Sequence, residues 1–274
     1  MSKLGQNFLV DLSVRDEIIR SAGVDSGDLV VEIGPGRGML TRPLAERAGG
    51  LIAIEVDPEL AGSLERVFAG SSHVQVVHAD ILECDLGRLV RECCSGVKTY
   101  SRVLAVSNLP YCITTPILHR LFAEAPIFSS FVLMVQLEVA QKLVAAPGTS
   151  AYGPLSVRAQ YATAPRILFT VEPAAFDPPP AVQSAVVRMD VWSTPPVEAD
   201  PSQLVAMVGA GFRLRRKTLR NSLLGSSLFG GDSRAVDDVL SQAGIDGRRR
   251  AETLSLEEFA AIARARGVCK ASDG

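Results

Sequence analysis

Leu29-Val30-Val31-Glu32-Ile33-Gly34-Pro35-Gly36-Arg37-Gly38 sets the architecture of this 274-residue chain. The apolar run 29–33 reads as a strand, and the glycines after it open a predicted helix over 38–48. Glycine at alternate positions lets the backbone turn tightly and approach a ligand closely. Two phosphate-binding readings fail. A dinucleotide fingerprint needs a third glycine where Met39 stands, and no Lys-Ser or Lys-Thr follows the run as a P-loop requires.

Working outward, strands are expected at 51–56, 74–77, 103–106 and 131–135. Helices are expected at 14–22, 58–68, 86–94 and 116–124. This alternation specifies an α/β protein with a mostly parallel sheet and helices on both faces. After Ala140 the pattern changes. A helix candidate is interrupted at Pro147-Gly148-Thr149-Ser150, another starts near Pro154, and 166–171 with 184–191 alternate like a late hairpin. Phe176-Asp177-Pro178-Pro179-Pro180 between them is too proline-rich for a central strand. The polar, proline-marked Ser193-Thr194-Pro195-Pro196 separates an expected catalytic domain, 1–192, from an expected all-helical domain, 197–274. Helices are predicted there over 201–211, 216–224, 232–240 and 255–265, with Ser255 and Glu258 spaced as a capping box.

Four predicted strands each end on a polar feature. Glu55 follows the glycines by about twenty residues, where a carboxylate accepts from ribose hydroxyls. Asp80 precedes Ile81, an acceptor beside an apolar surface suited to adenine. Asn108-Leu109-Pro110-Tyr111 ends the fourth strand with an amide, backbone carbonyls and an aromatic face. In an open α/β sheet such endings converge on one crevice. Carboxylates in place of phosphate-binding groups favour a compact adenosyl ligand, S-adenosylmethionine, and a Rossmann-like class I methyltransferase with a seven-stranded sheet. The Asn108 corner suits an exocyclic amino group, with Tyr111 stacking on the attached ring.

The composition narrows the class further. The net charge of −2 hides clusters of one sign: Arg213, Arg215, Arg216, Lys217 and Arg220, then Arg248, Arg249 and Arg250. Five cysteines form no CxxC pair and three histidines offer no zinc spacing, so no metal is expected. No signal-like or membrane-spanning run is present, and the expected location is the cytoplasm.

These landmarks, in this order, resemble the ribosomal RNA adenine dimethyltransferase family, in particular its bacterial small-subunit branch. They include Leu4-Gly5-Gln6-Asn7-Phe8-Leu9, Glu32 to Gly38 with Leu40-Thr41, Glu55 with Asp57, and Asp80. Asn108 to Tyr111, Phe176 with Pro178-Pro179-Pro180, and Phe212-Arg213 with Arg216-Lys217-Thr218-Leu219 complete the set. The resemblance implies that S-adenosylmethionine supplies four methyl groups to two adjacent adenosines near the 3' end of small-subunit rRNA. It also implies that Gln6, Asn7 and Leu9 cover the cofactor, while Gly34, Gly36 and Gly38 form its loop. Glu55 would take the ribose and Asp80 with Ile81 the adenine. Asn108 and the Leu109 carbonyl, set by Pro110, would hold the target amine, and Tyr111 with Phe176 would sandwich the target base. The implied partner is a partly assembled small ribosomal subunit met by a monomer, with the basic clusters touching RNA. Cys112, Leu137, Ala181 and Gln183 depart from residues frequent in the family. Competing readings are a large-subunit adenine methyltransferase, a DNA N6-adenine methyltransferase and a non-catalytic assembly factor.

Overall fold

The computed structural model describes residues 7–94, 99–214 and 216–272. Packing divides them into two units. The first holds the described residues of Met1–Gln141 with Thr163–Ser193, and the second those of Lys142–Ala162 with Thr194–Gly274.

The first unit begins with the short strand β1 (Phe8–Leu9) and helix α1 (Leu12–Ala22). Asp11 caps α1 by accepting from the Ser13 and Val14 N–H groups, and Gly23 ends it in the left-handed conformation, φ 60°. β2 (Asp28–Ile33), α2 (Thr41–Ala45), β3 (Gly50–Glu55), α3 (Pro58–Phe68), β4 (Val74–His78), α4 (Leu86–Cys94), β5 (Arg102–Asn108), α5 (Thr114–Ala123) and β6 (Ser130–Gln136) follow. α6 (Leu137–Val144) and α7 (Pro154–Ala162) precede β7 (Thr163–Val171), the two-residue β8 (Phe176–Asp177) and β9 (Ser184–Val191).

Seven strands form one sheet in the order β4-β3-β2-β5-β6-β9-β7. The first five run parallel, and β9 runs antiparallel to both its neighbours. Every residue of β2 and β3 is buried. Since successive side chains point to opposite faces, both faces of the sheet centre are covered. β4 and β7 lie at the edges and are mostly half-buried, and Pro165 is tolerated in β7 because an edge strand has a free hydrogen-bonding side. Chain order reverses between β2 and β5, which opens a crevice at their carboxyl ends. Ser107 Oγ ties the two strand ends together by accepting the Ile33 N–H at 2.8 Å.

Two elements differ from sequence expectation. The helix read over 38–48 shrinks to Thr41–Ala45, because Gly38 has φ +81° and cannot start a helical turn. β1 pairs with β8 in a separate antiparallel ribbon, Leu9 opposite Phe176 and Phe8 opposite Asp177. The expected stiff proline segment thus supplies the edge onto which the N-terminal arm folds.

The second unit contains α7, α8 (Pro201–Phe212), α9 (Leu219–Leu224), α10 (Ser233–Ala243) and α11 (Leu256–Ser272). Its core joins Tyr152 and Val157 to Leu204, Met207, Leu219, Leu223, Val236, Leu240, Phe259 and Ile262. Tyr152 donates its hydroxyl to the Leu254 carbonyl at 2.8 Å, and Phe212 stacks on Phe259 at 5.7 Å between ring centres. The packing differs from the division expected at 192/197 in placing 142–162 with the C-terminal helices, where Ala145, Tyr152 and Val157 are buried. The capping box forms: Ser255 N–H donates to Glu258 Oε2 at 2.8 Å, and Glu258 N–H to Ser255 Oγ at 3.3 Å.

Candidate active site

A cavity of about 250 Å³ lies over the carboxyl ends of β2, β3, β4 and β5. Its wall includes Asn7, Leu9, Gly34, Gly36, Glu55, Asp80, Ile81 and Asn108 to Tyr111, whereas Gly38, also expected there, faces Leu64 and Thr41 instead. Gln6 lies outside the described residues.

The glycine loop is held from beneath. Gly34, Gly36 and Gly38 all take positive φ, at 66°, 56° and 81°. Gly34 N–H donates to the Ile54 carbonyl at 2.9 Å and Gly36 N–H to Glu55 Oε2 at 3.0 Å. Glu55 Oε1 accepts the Asp57 N–H, also at 3.0 Å. A carboxylate oxygen has two acceptor positions, so Glu55 fixes the loop and retains capacity for ligand hydroxyls. Asp80 uses Oδ1 to accept the Leu82 N–H at 2.8 Å, and Ile81 beside it is 4% exposed.

Glu32 was not among the expected site residues. It lines the cavity, is 2% exposed, and its Oε2 has no hydrogen-bond partner among the described residues. Burial pushes its carboxyl up to about 8; the nearby Thr41 hydroxyl opposes this and the Glu55 charge adds to it. The available signal was an acid on the last turn of a buried strand, directly before the glycines. Phe8 and Arg37 were also missed. The Arg37 guanidinium lies 4.2 Å above the Phe8 ring and 3.7 Å from Asp177 Oδ2, while Asn7 Nδ2 donates to the Pro178 carbonyl at 2.7 Å. These contacts fasten the arm along one wall.

At the Asn108 corner, Oδ1 is buried without a partner among the described residues and Nδ2 reaches the Asn7 carbonyl at 3.5 Å. The Pro110 carbonyl is already used, accepting from Ile113 N–H at 3.2 Å and Thr114 Oγ1 at 3.0 Å. Of the carbonyls at this corner, Leu109's is therefore the candidate acceptor. Tyr111 hydrogen-bonds through its hydroxyl to Ser184 Oγ, and burial pushes that phenol up. Its ring meets Phe176 edge-on, 6.4 Å apart and at 68°. Phe176 is 3% exposed and belongs to the first unit's core, so the expected base sandwich is not preformed. Phe176 instead supports the ribbon and the back of Tyr111.

The basic residues separate into two kinds. Arg220 is forked onto Asp237 at 2.6 and 2.7 Å, Arg248 pairs with Asp246 at 3.0 Å, Arg249 with Glu258, and Arg250 Nη1 lies 4.0 Å from Glu252. Leu219 and Arg220 N–H groups donate to the Arg249 and Gly247 carbonyls, bringing the two sequence clusters side by side. Arg213, Arg216 and Lys217 are exposed and have no ion-pair partner among the described residues. Arg215 lies outside them.

Strand order, glycine loop and strand-end carboxylates together define a class I Rossmann-like methyltransferase. The model of the family described as ribosomal RNA adenine dimethylase matches residues 1–265, and the chain belongs to that family of S-adenosylmethionine-dependent rRNA methyltransferases. It is 48% identical over 263 residues to ribosomal RNA small subunit methyltransferase A of Pelotomaculum thermopropionicum, covering 95% of this chain and 89% of that protein. The protein of the same name from Moorella thermoacetica is 45% identical, with 95% and 90% covered. Among solved structures, the 23S rRNA methyltransferase ErmE is similar at a TM-score of 0.65 and 28% identity, covering 95% of this chain and 100% of that one. A dimethyladenosine transferase from Plasmodium falciparum shares the fold, with a TM-score of 0.74, 23% identity and coverage of 93% and 95%.

Proposed function

We propose that this protein converts two adjacent adenosines near the 3' end of small-subunit rRNA to N6,N6-dimethyladenosine during assembly of that subunit. The observation that carries the reading is the buried Asn108 Oδ1, an acceptor without a partner among the described residues, in a cavity otherwise furnished for an adenosyl ligand. The names of the relatives at 48% and 45% identity support the small subunit as substrate. As a monomer in the cytoplasm, the protein would meet the partly assembled subunit there.

The donor set fits S-adenosylmethionine. Gly34 and Gly36 give it a surface without Cβ atoms, Gly38 turns the loop behind them with its α-carbon facing Leu64, Asn7 and Leu9 flank it, Glu55 takes ribose hydroxyls, and Asp80 Oδ2 with Ile81 takes adenine. When bound, the cofactor supplies an electrophilic methyl group on a sulfonium, which leaves as a neutral thioether.

The protein's part is to make a poor nucleophile competent. The lone pair of an adenine N6 is delocalised into the ring. Accepting its two hydrogens on Asn108 Oδ1 and the Leu109 carbonyl favours a pyramidal nitrogen, and the alignment is provided before reaction. Attack gives an alkylated, positively charged nitrogen acidic enough to release a proton to solvent without a strong base; a single N–H then remains, so the second transfer needs only one of these acceptors and room for a methyl. Tyr111 offers the unstacked base a ring face, a contact worth about 1–3 kcal/mol. Arg213, Arg216 and Lys217 would meet phosphates, which position RNA without reading sequence.

The test is incubation with methyl-labelled S-adenosylmethionine and undermethylated small subunits, with large subunits, naked rRNA and duplex DNA in parallel. Dimethyladenosine at two adjacent small-subunit positions, mapped by nucleoside mass spectrometry and lost with Asn108→Ala, is expected. Label confined to large subunits would support the activity named for the ErmE neighbour instead, and binding without label would support an assembly role alone.

A further inference from the structure

The turn that carries Asp80 is built on hydrogen bonds from one direction and held from another. Asp80 Oδ1 accepts the Leu82 N–H at 2.8 Å, and the Asp80 carbonyl accepts the N–H groups of Glu83 and Cys84 at 3.0 and 2.9 Å. The outward carbonyls of Leu82 and Cys84 then meet Arg120, which donates Nη1 to the first at 3.1 Å and Nη2 to the second. Glu124, one turn further along the chain, holds the guanidinium from the other side, 2.7 Å from Nε. A planar fork spanning two carbonyls fixes both direction and distance, which a point charge does not. Arg120 itself does not line the cavity.

α5 is therefore fastened at both ends. Thr114 in its first turn holds the Pro110 carbonyl, and Arg120 in its last turn holds the Asp80 turn. We propose that Arg120 is a positioning residue for the cofactor pocket: it sets where Asp80 and Ile81 stand and so governs discrimination between a 6-amino and a 6-oxo purine. The inference rests on the proposed role of Asp80 as acceptor for the cofactor's adenine amine. An amino group donates to a carboxylate, whereas an oxo group is repelled by it. Because hydrogen bonds weaken steeply with misalignment, the preference depends on where the turn is held.

Calorimetry without RNA tests this, comparing S-adenosylhomocysteine with S-inosylhomocysteine. Arg120→Lys keeps a cation beside Glu124 but cannot span both carbonyls. Arg120→Met with Glu124→Gln removes the pair without stranding a charge. The wild-type protein is expected to prefer the adenosyl compound, and either variant to lose about tenfold of that preference, the equivalent of one well-made hydrogen bond. The loss falls mainly on the adenosyl Kd, and the thermal midpoint of Arg120→Lys stays at the wild-type value, which separates positioning from general destabilisation. Wild-type preference retained in both variants, yet erased by Asp80→Asn, overturns the role of Arg120 alone. No preference in the wild type overturns the Asp80 assignment and this inference with it.

Discussion

Asn108 and Glu32 are two buried polar side chains with incomplete hydrogen bonding on one cavity wall, and they make different demands. Asn108 leaves a neutral acceptor open; replacing it with alanine should lower kcat for methyl transfer by about 10²–10³-fold, the range for removal of one aligned polar group. Single-turnover assays should show this while the Kd of S-adenosylhomocysteine moves far less. Glu32 instead stores a pH dependence. Its carboxyl is held at about 8 in the folded protein against an ordinary 4.5, so folding takes up a proton between those values. The stability it permits is full below about pH 4.5 and is lost as pH rises through 8. Glu32→Gln should flatten that part of the Tm-against-pH curve and raise Tm at pH 8, and an unchanged slope would refute the account. Asn108 was legible because Asn-Leu-Pro-Tyr after an apolar run is a rare corner. Glu32 was harder to find, since its significance lies in burial among Thr41 and Glu55, which no local spacing displays.

Elements extend the same contrast. The parallel strands and their helices were readable because burial of β2, β3 and β6 leaves continuous apolar runs, and α3 and α11 carry explicit start signals at Asp57-Pro58 and Ser255. The β1–β8 ribbon was not, because two residues on each side pair across a separation that no periodicity can report. The glycine loop links the two kinds of element. A Cβ on Gly36 would lie 3.0 Å from Phe8 Cε1, on a backbone with φ +56°. Gly36→Ala should therefore cost about 1–2 kcal/mol from the left-handed backbone alone. It should also press Phe8 away from the loop. Faster amide exchange at Val10, whose N–H is bonded to the Ala175 carbonyl at 2.8 Å, would report the displaced arm. In the helical unit, Ser255→Ala should cost about 1 kcal/mol in denaturant unfolding. Glu258→Ala should cost more, because it also strands Arg249, whose guanidinium holds the Glu258 carboxyl below its usual range.

On the scale of the whole molecule, the linker at 193–196 was legible from its prolines, whereas the membership of 142–162 was not. α7 sits between two strands in sequence and was assigned to the sheet on that order. The place of 142–162 is decided by Tyr152, just before α7, and Val157 within it, each at most 1% exposed in a core otherwise drawn from residues beyond 200 apart from Ala145. Truncation after Ser193 should consequently not yield a clean sheet unit. Tyr152 and Val157 would face water, and the product should bind a hydrophobic dye and aggregate on concentration. A monodisperse, dye-silent fragment would contradict the packing of 142–162 with the C-terminal helices.

The ribbon between Phe8–Leu9 and Phe176–Asp177 also has a consequence in time. Proteins are synthesised from the N-terminus, so the arm that walls the cavity is made some 170 residues before the strand that holds it. At a synthesis rate of about 5–20 residues per second, the growing chain carries its glycine loop and strand-end carboxylates, complete at Asp80, for roughly five to twenty seconds before that wall can close. A nascent chain therefore has the floor of the cofactor pocket long before it has the side, and capture of ligand is deferred until the sheet is nearly complete.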